Sequence, residues 1–371
     1  MTSHRTVVMG SLVLRIALAS LFLCSLAGCA EGGGSTVGDP SRLHSPTNDG
    51  GVFLPVVSDG GGLDAGRADA SLPCGSFAQT AGATYPSTTG SYFEFQHGGR
   101  TRQFKVHVPK SYRNGTPSPV VFAFHGMTGN AESFGINGTG LAAKADAAGF
   151  VLVLPNGYQH SWNAGSCCGQ AQKQGVDDVG FVREVHARLA SQLGLCIDPS
   201  RVYATGYSNG GIFTYRLACE ASDLFASVAS VSGTMAIPYD QCGPSMRRPM
   251  PFLEIHGVLD KITPLLGSNG KGTLPSLATL AGDDGCSSTT TGSSVPPSQL
   301  DTSCETHLGC GSGTEVTLCR AANGGHCWFG SSTCGTGSPY TFFLGGNATG
   351  IVATDAIWSF VSRFHCPTCG R

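Results

Sequence analysis

Residues 201–219 run RVYATGYSNGGIFTYRLAC. The first five are β-branched or aromatic and follow the turn pair Asp198-Pro199, so they read as a short buried strand. From Asn209 onward the apolar side chains Ile212, Phe213, Tyr215 and Leu217 suit a helix laid on a sheet. Between them stands Gly206-Tyr207-Ser208-Asn209-Gly210, a G-x-S-x-G. That is the pattern of a nucleophile elbow, a sharp strand-to-helix turn that lifts one serine hydroxyl into the open. Glycine is needed on either side because a side chain there would meet neighbouring backbone. With 54 Gly in the chain, about one bare G-x-S-x-G is expected by chance. The flanking strand and helix therefore carry the weight, and they make Ser208 the candidate nucleophile.

Working outward, the chain alternates strands and helices. Residues 92–96 and 102–108 read as antiparallel strands turned at Gly98-Gly99. A continuous apolar strand, 119–124, ends in His125-Gly126; a helix at 141–148 and a buried strand at 150–155 follow. The long loop 156–176 carries Trp162 and the adjacent Cys167 and Cys168. Asp177 and Asp178 open a helix to about residue 193, where their charge suits the helix dipole. Beyond the elbow come strands at 226–231, 252–256 and 315–321, and a closing amphipathic helix at 354–364. Residues 267–313 read as irregular, with the Gly/Ser/Thr-rich 286–298 as an insertion or surface loop. This order predicts an α/β class with a mostly parallel central sheet and helices on both faces. With the elbow, that is the α/β-hydrolase fold.

In this fold the acid follows the nucleophile in sequence and the histidine comes last. Asp260 stands in a loop just past the strand 252–256, whereas Asp283, Asp284 and Asp301 lie in the irregular region. Of the later histidines, His326 follows the last strand in Gly324-Gly325-His326, while His307 sits between cysteines and His365 after the closing helix. The chemistry needs all three groups. Serine is a poor nucleophile until an imidazole takes its proton, and a buried carboxylate orients that imidazole. The oxyanion needs backbone N–H donors, expected from Asn209 and from Met127 after His125-Gly126. Trp162 and Trp328 are candidate flat walls for an acyl group.

The set H-G-M-T-G-N, C-C-G followed by V-D-D-V-G-F, G-Y-S-N-G-G with L-A-C-E, H-G-x-x-D and G-G-H-x-W resembles the polyhydroxybutyrate depolymerase/feruloyl esterase group of secreted α/β-hydrolases. The resemblance spans roughly residues 95–364 and keeps five motifs in order. It implies that Ser208, Asp260 and His326 form the triad, that Trp162 lines the acyl pocket and that Cys286 pairs with Cys310. Cys327 and Phe329 replace the Thr and Pro usual after this histidine, so a disulfide is expected to hold its loop. The Cys-rich stretch 286–334 also exceeds the family's usual pattern.

Charged residues are 12% of the chain and the net charge is −2, which argues against a nucleic-acid partner or a polybasic membrane patch. The 16 Cys argue for an oxidising compartment. Arg5 and Arg15 precede a short apolar run, 16–26, that ends Leu26-Ala27-Gly28-Cys29. Residues 1–29 thus resemble a lipoprotein signal with Cys29 lipidated, and Ala30 after it favours the bacterial outer membrane. Residues 30–73, rich in Gly, Ser, Asp and Pro, read as a flexible tether reaching roughly 35 Å. Residues 74–371 are the catalytic domain. Without Cys24 and Cys29 an even 14 Cys remain; Cys366-Pro367-Thr368-Cys369 has zinc-ligand spacing but no second such pair, so disulfides are expected and no metal or cofactor. The expectation is a monomeric, surface-tethered serine esterase acting on acetyl, feruloyl or other short-chain esters of plant polysaccharides. The alternatives are a polyhydroxybutyrate depolymerase and a non-catalytic binding protein on the same scaffold.

Overall fold

The computed structural model describes residues 52–53, 75, 77–237, 242, 247–267, 272–291, 301–331, 334, 345–347 and 350–369. The expected signal with Cys29, and all of the expected tether except Val52 and Phe53, lie outside the described residues.

One sheet organises the chain. Its strands are β1 (Val52–Phe53), β2 (Ala83–Tyr85), β3 (Phe93–His97), β4 (Arg100–Val108), β5 (Ser118–Phe124), β6 (Val151–Pro155), β7 (Ile197–Tyr207), β8 (Ser227–Val231), β9 (Phe252–Gly257), β10 (Ser288–Thr291), β11 (Thr302–Leu308) and β12 (Val316–Ala321). They lie in the order β1-β3-β4-β6-β5-β7-β8-β9-β12-β11-β10, with β2 beside β4. Pairing is parallel from β6 through β12 and antiparallel at β3/β4/β6 and β12/β11/β10. The helices are α1 (Leu141–Ala148), α2 (Gly169–Lys173), α3 (Asp178–Ser191), α4 (Asn209–Glu220), α5 (Thr273–Asp283) and α6 (Ala353–Val361). A parallel centre with a reversal of strand order at β5/β6 and an elbow after β7 is the α/β-hydrolase fold.

Burial explains the layering. Every residue of β5, β6, β8 and β9 is buried, as strands covered on both faces must be. Along β5, Val120, Phe122 and Phe124 join one apolar layer with Phe181, Val182 and Phe213 of α3 and α4. The intervening Val121 and Ala123 join the opposite layer with Leu141 and Ala145 of α1 and Ile357 and Phe360 of α6. Period-two alternation thus sends consecutive side chains to opposite cores.

Two expectations change. The stretch 267–313, read as irregular, contains α5, β10 and β11. The inward face of β11 is Thr302, Cys304 and Thr306, so no large aliphatic residue announces the strand. Cys304 sits directly opposite Cys319 of β12, and the two are disulfide-bonded. The supposed surface loop 286–298 begins with β10, which pairs with β11 through Ser288–Thr291. The other described bridges are Cys167–Cys168, Cys219–Cys242, Cys286–Cys310, Cys327–Cys334 and Cys366–Cys369, and Cys196 is also disulfide-bonded.

Candidate active site

Ser208 takes the strained backbone that an elbow requires, with φ 54° and ψ −120°. Its N–H donates to the carbonyl of Val231 at 3.0 Å. A Cβ on Gly206 would run into the carbonyl of Gly210, and one on Gly210 into the carbonyls of Phe124 and His125. Only glycine permits so tight a turn between β7 and α4.

Three polar side chains form one hydrogen-bonded line. Ser208 Oγ lies 2.7 Å from His326 Nε2, and His326 Nδ1 lies 2.7 Å from Asp260 Oδ2. A hydrogen on Nδ1 donating to the carboxylate leaves Nε2 free to accept from the serine, the tautomer needed to take a proton from Oγ. The topology explains the meeting: Asp260 and His326 follow the adjacent parallel strands β9 and β12. Their loops are stitched by backbone bonds, Val258 N–H to Ala321 O at 2.9 Å and Leu259 N–H to Gly324 O at 2.8 Å. The disulfide Cys327–Cys334 closes the histidine loop. From the elbow, the Tyr207 hydroxyl donates to the His326 carbonyl at 2.8 Å.

Asp260 is buried yet well supplied with donors. Its Oδ1 accepts from the N–H groups of Ile262 and Thr263 at 2.8 and 2.9 Å. The Thr263 hydroxyl lies 2.9 Å from Oδ2. Burial pushes the carboxyl up, but hydrogen bonding to His326, the two imidazoles and the Thr263 N–H outweigh it and hold its pKa below the ordinary value. Beside it His256 is fully buried between Glu254 and Asp260. Burial pulls this ring towards neutrality, yet bonding to Glu254 and the charges of Glu254 and Asp260 leave its pKa raised.

The turn that precedes the expected donor Met127 packs against the serine, and the expected donor Asn209 follows it directly. A Cβ on Gly126 would stand 3.3 Å from Ser208 Cβ, which brings the His125-Gly126-Met127 turn against the nucleophile. Asn209 N–H opens α4, where the first turn has no intrahelical acceptor. Backbone N–H groups at a helix start favour developing negative charge.

The two tryptophans do not serve as exposed walls. Trp162 has no solvent exposure: it stacks on Phe213 at 5.3 Å and meets Phe124 edge-on at 5.2 Å. Its indole N–H donates to the carbonyl of His125 at 2.9 Å. Its backbone N–H and carbonyl pair with the side-chain amide of Asn209 at 2.7 and 3.0 Å. Trp162 therefore ties the turn at His125 to the elbow from within the core. Trp328 is buried too, meeting Phe134 edge-on and donating to Thr354 Oγ1 at 3.0 Å. It fastens the histidine loop to α6. The long loop is held from its far end: buried Asp178 accepts from Arg102 at 2.6 Å and from Asn163 N–H at 2.7 Å.

Sequence reasoning missed Thr263, the Asn209 amide and the pair Glu254/His256. Only His256 left a signal, as the first residue of H-G-x-x-D.

Residues 96–256 match the family model described as "Putative esterase". The chain is 36% identical over 174 residues to "Putative esterase NocK" of Nocardia uniformis subsp. tsuyamanensis, covering 46% of this chain and 48% of that protein. It is 28% identical over 244 residues to "Feruloyl esterase B" of Piromyces equi, covering 61% of this chain and 42% of that one. It is 27% identical over 266 residues to "Probable feruloyl esterase C" of Aspergillus clavatus, covering 70% and 82%. The chain thus spans about half the length of the first two relatives. By its sheet order and its elbow the chain has the α/β-hydrolase fold, and it is similar in sequence to esterases, feruloyl esterases among them.

Proposed function

We propose that the protein is a serine carboxylic-ester hydrolase that cleaves acyl esters of plant polysaccharides through an acyl-enzyme. The observation that carries the reading is the unbroken line Ser208–His326–Asp260, at 2.7 Å for both links. Similarity to feruloyl esterases supports the substrate class. In this reading Ser208 attacks the ester carbonyl as its proton passes to His326 Nε2. The N–H groups of Asn209 and Met127 receive the oxyanion, each such donor contributing roughly a hundredfold in rate. His326 then protonates the leaving alcohol, water enters by the same route in reverse, and Asp260 stays ionised throughout. Six described disulfides accord with an extracytoplasmic site of action.

The test is kcat/KM on methyl ferulate and acetylated xylo-oligomers beside release of hydroxybutyrate from polymer films. The reading expects turnover of one or both soluble esters. Film erosion with negligible turnover of both would make the depolymerase reading primary.

A further inference from the structure

His256 has no step in the reaction above, yet it is built into the same site. Both of its ring nitrogens face acceptors. Nδ1 lies 2.8 Å from Glu254 Oε1, and Nε2 lies 2.7 Å from the carbonyl oxygen of Thr263 and 3.4 Å from Asp260 Oδ2. A carbonyl oxygen has no hydrogen to give, so Nε2 must carry one. The Thr273 hydroxyl, 3.3 Å from Nδ1, already donates to the Gly233 carbonyl at 2.8 Å. Glu254 is served as an ionised carboxylate would be: Oε1 accepts from Gly233 N–H at 3.0 Å and Oε2 from the Tyr215 hydroxyl at 3.1 Å. Glu254 and His256 are both wholly buried. A ring with hydrogens on both nitrogens satisfies every one of these contacts.

We infer that His256 is a second imidazole of the site, an imidazolium paired with Glu254 that positions the acid loop and faces the same Asp260 oxygen that His326 uses. The inference rests on reading Ser208, His326 and Asp260 as a triad. It has two physical consequences. The first is mechanical. By holding the Thr263 carbonyl, His256 fixes the residue whose N–H and hydroxyl both contact Asp260, and whose hydroxyl lies 3.2 Å from His326 Nδ1. The second is electrostatic. A positive ring beside Asp260 Oδ2 offsets part of the negative field that His326 senses, and it opposes protonation of the carboxylate. His326 must be neutral to accept the serine proton, so His256 extends activity towards lower pH. No proton passes to His256 during turnover; it is a positioning residue.

Glu254 lies on the ring's own strand, Asp260 on the acid loop and Tyr215 on α4 against Glu254. Helix α5 contributes the neutral Thr273, while Tyr207 of the elbow and His326 stand beyond Asp260.

The experiment is His256→Gln, which keeps a donor for the Thr263 carbonyl but removes the charge. kcat/KM is followed against pH on a soluble ester, alongside stoichiometric phosphonylation of Ser208. The acid limb should move up by about half a pH unit or more, with Ser208 still labelled at alkaline pH. A labelled variant whose limb stays in place, however much slower it is, overturns the inference. Should the variant fail to fold, nitrogen-15 NMR of histidine-labelled native protein decides instead. His256 should hold both ring hydrogens over the pH range of the acid limb of kcat/KM; a ring with one hydrogen there overturns the proposal. If native protein takes no label at Ser208, the triad reading falls first and this inference falls with it.

Discussion

Ser208, His326 and Asp260 act as one unit in the proposed mechanism, which determines how their variants should combine. His326→Ala removes the acceptor held 2.7 Å from the serine hydroxyl and should lower kcat by at least about a thousandfold. Adding Ser208→Ala should cost little more, because the remaining groups then serve a line already broken. Asp260→Asn keeps the shape but presents an amide where His326 Nδ1 now donates, and should cost several orders of magnitude in kcat. Steady-state kinetics of the single and double variants checks this; strictly multiplicative losses would mean the residues act independently. Ser208 and its glycines were legible in the sequence because the elbow is local. Asp260 and His326 were legible through fold order, being the groups just past two late strands. Thr263 was not: its role depends on a hydroxyl reaching a carboxylate three residues back and an imidazole from another strand, and no local pattern records that.

At the scale of elements, the loop between β6 and α3 holds the turn that the proposed mechanism uses for the oxyanion. Its central residue is Trp162, held by the Asn209 amide on one side and bonded to His125 on the other. Asn209→Ala retains the backbone N–H that would meet the oxyanion but takes the acceptor from the Trp162 N–H and leaves the Trp162 carbonyl with the longer bond from Cys168 N–H at 3.3 Å. It should lower stability by about 1–3 kcal/mol and reduce kcat by roughly tenfold or more with a smaller effect on KM. Thermal unfolding and kinetics together test this, since an effect on KM alone would place Trp162 in substrate binding after all. Regular elements were read well where their patterns are strong: α1 has glycines at both ends, and β5 is continuously apolar. Strand β11 escaped because threonine and cysteine form its buried face, and tryptophans mistaken for pocket walls proved to be core.

At the scale of the whole molecule, two described histidines outside the triad, His125 and His186, are pushed towards the neutral form by burial. Burial lowers the pKa of His125 to about 4, and burial with the nearby Arg183 charge does the same for His186. An unfolded histidine titrates near about 6.5. Between those values the unfolded chain binds more protons, so stability is full above about pH 6.5 and declines as pH falls towards 4. Each ring could contribute up to about 3 kcal/mol of that decline. His186 Nε2 is buried without a hydrogen-bond partner among the described residues, so His186→Leu should flatten the pH dependence by about half. Denaturant unfolding at a series of pH values measures it; an unchanged slope would mean His186 is not a source of the decline. The α/β alternation was visible along the chain, whereas strand order, which brings the β9 and β12 loops to the elbow, belongs to the folded sheet. The central claim is that Ser208 is an activated nucleophile, and the most direct measurement is site-mapped labelling of the native protein with a phosphonylating serine reagent. The account predicts one equivalent of label on Ser208, loss of ester hydrolysis in step with it, and no labelling of Ser208→Ala. Hydrolysis that survives full labelling of Ser208, or a label on another residue, would contradict it.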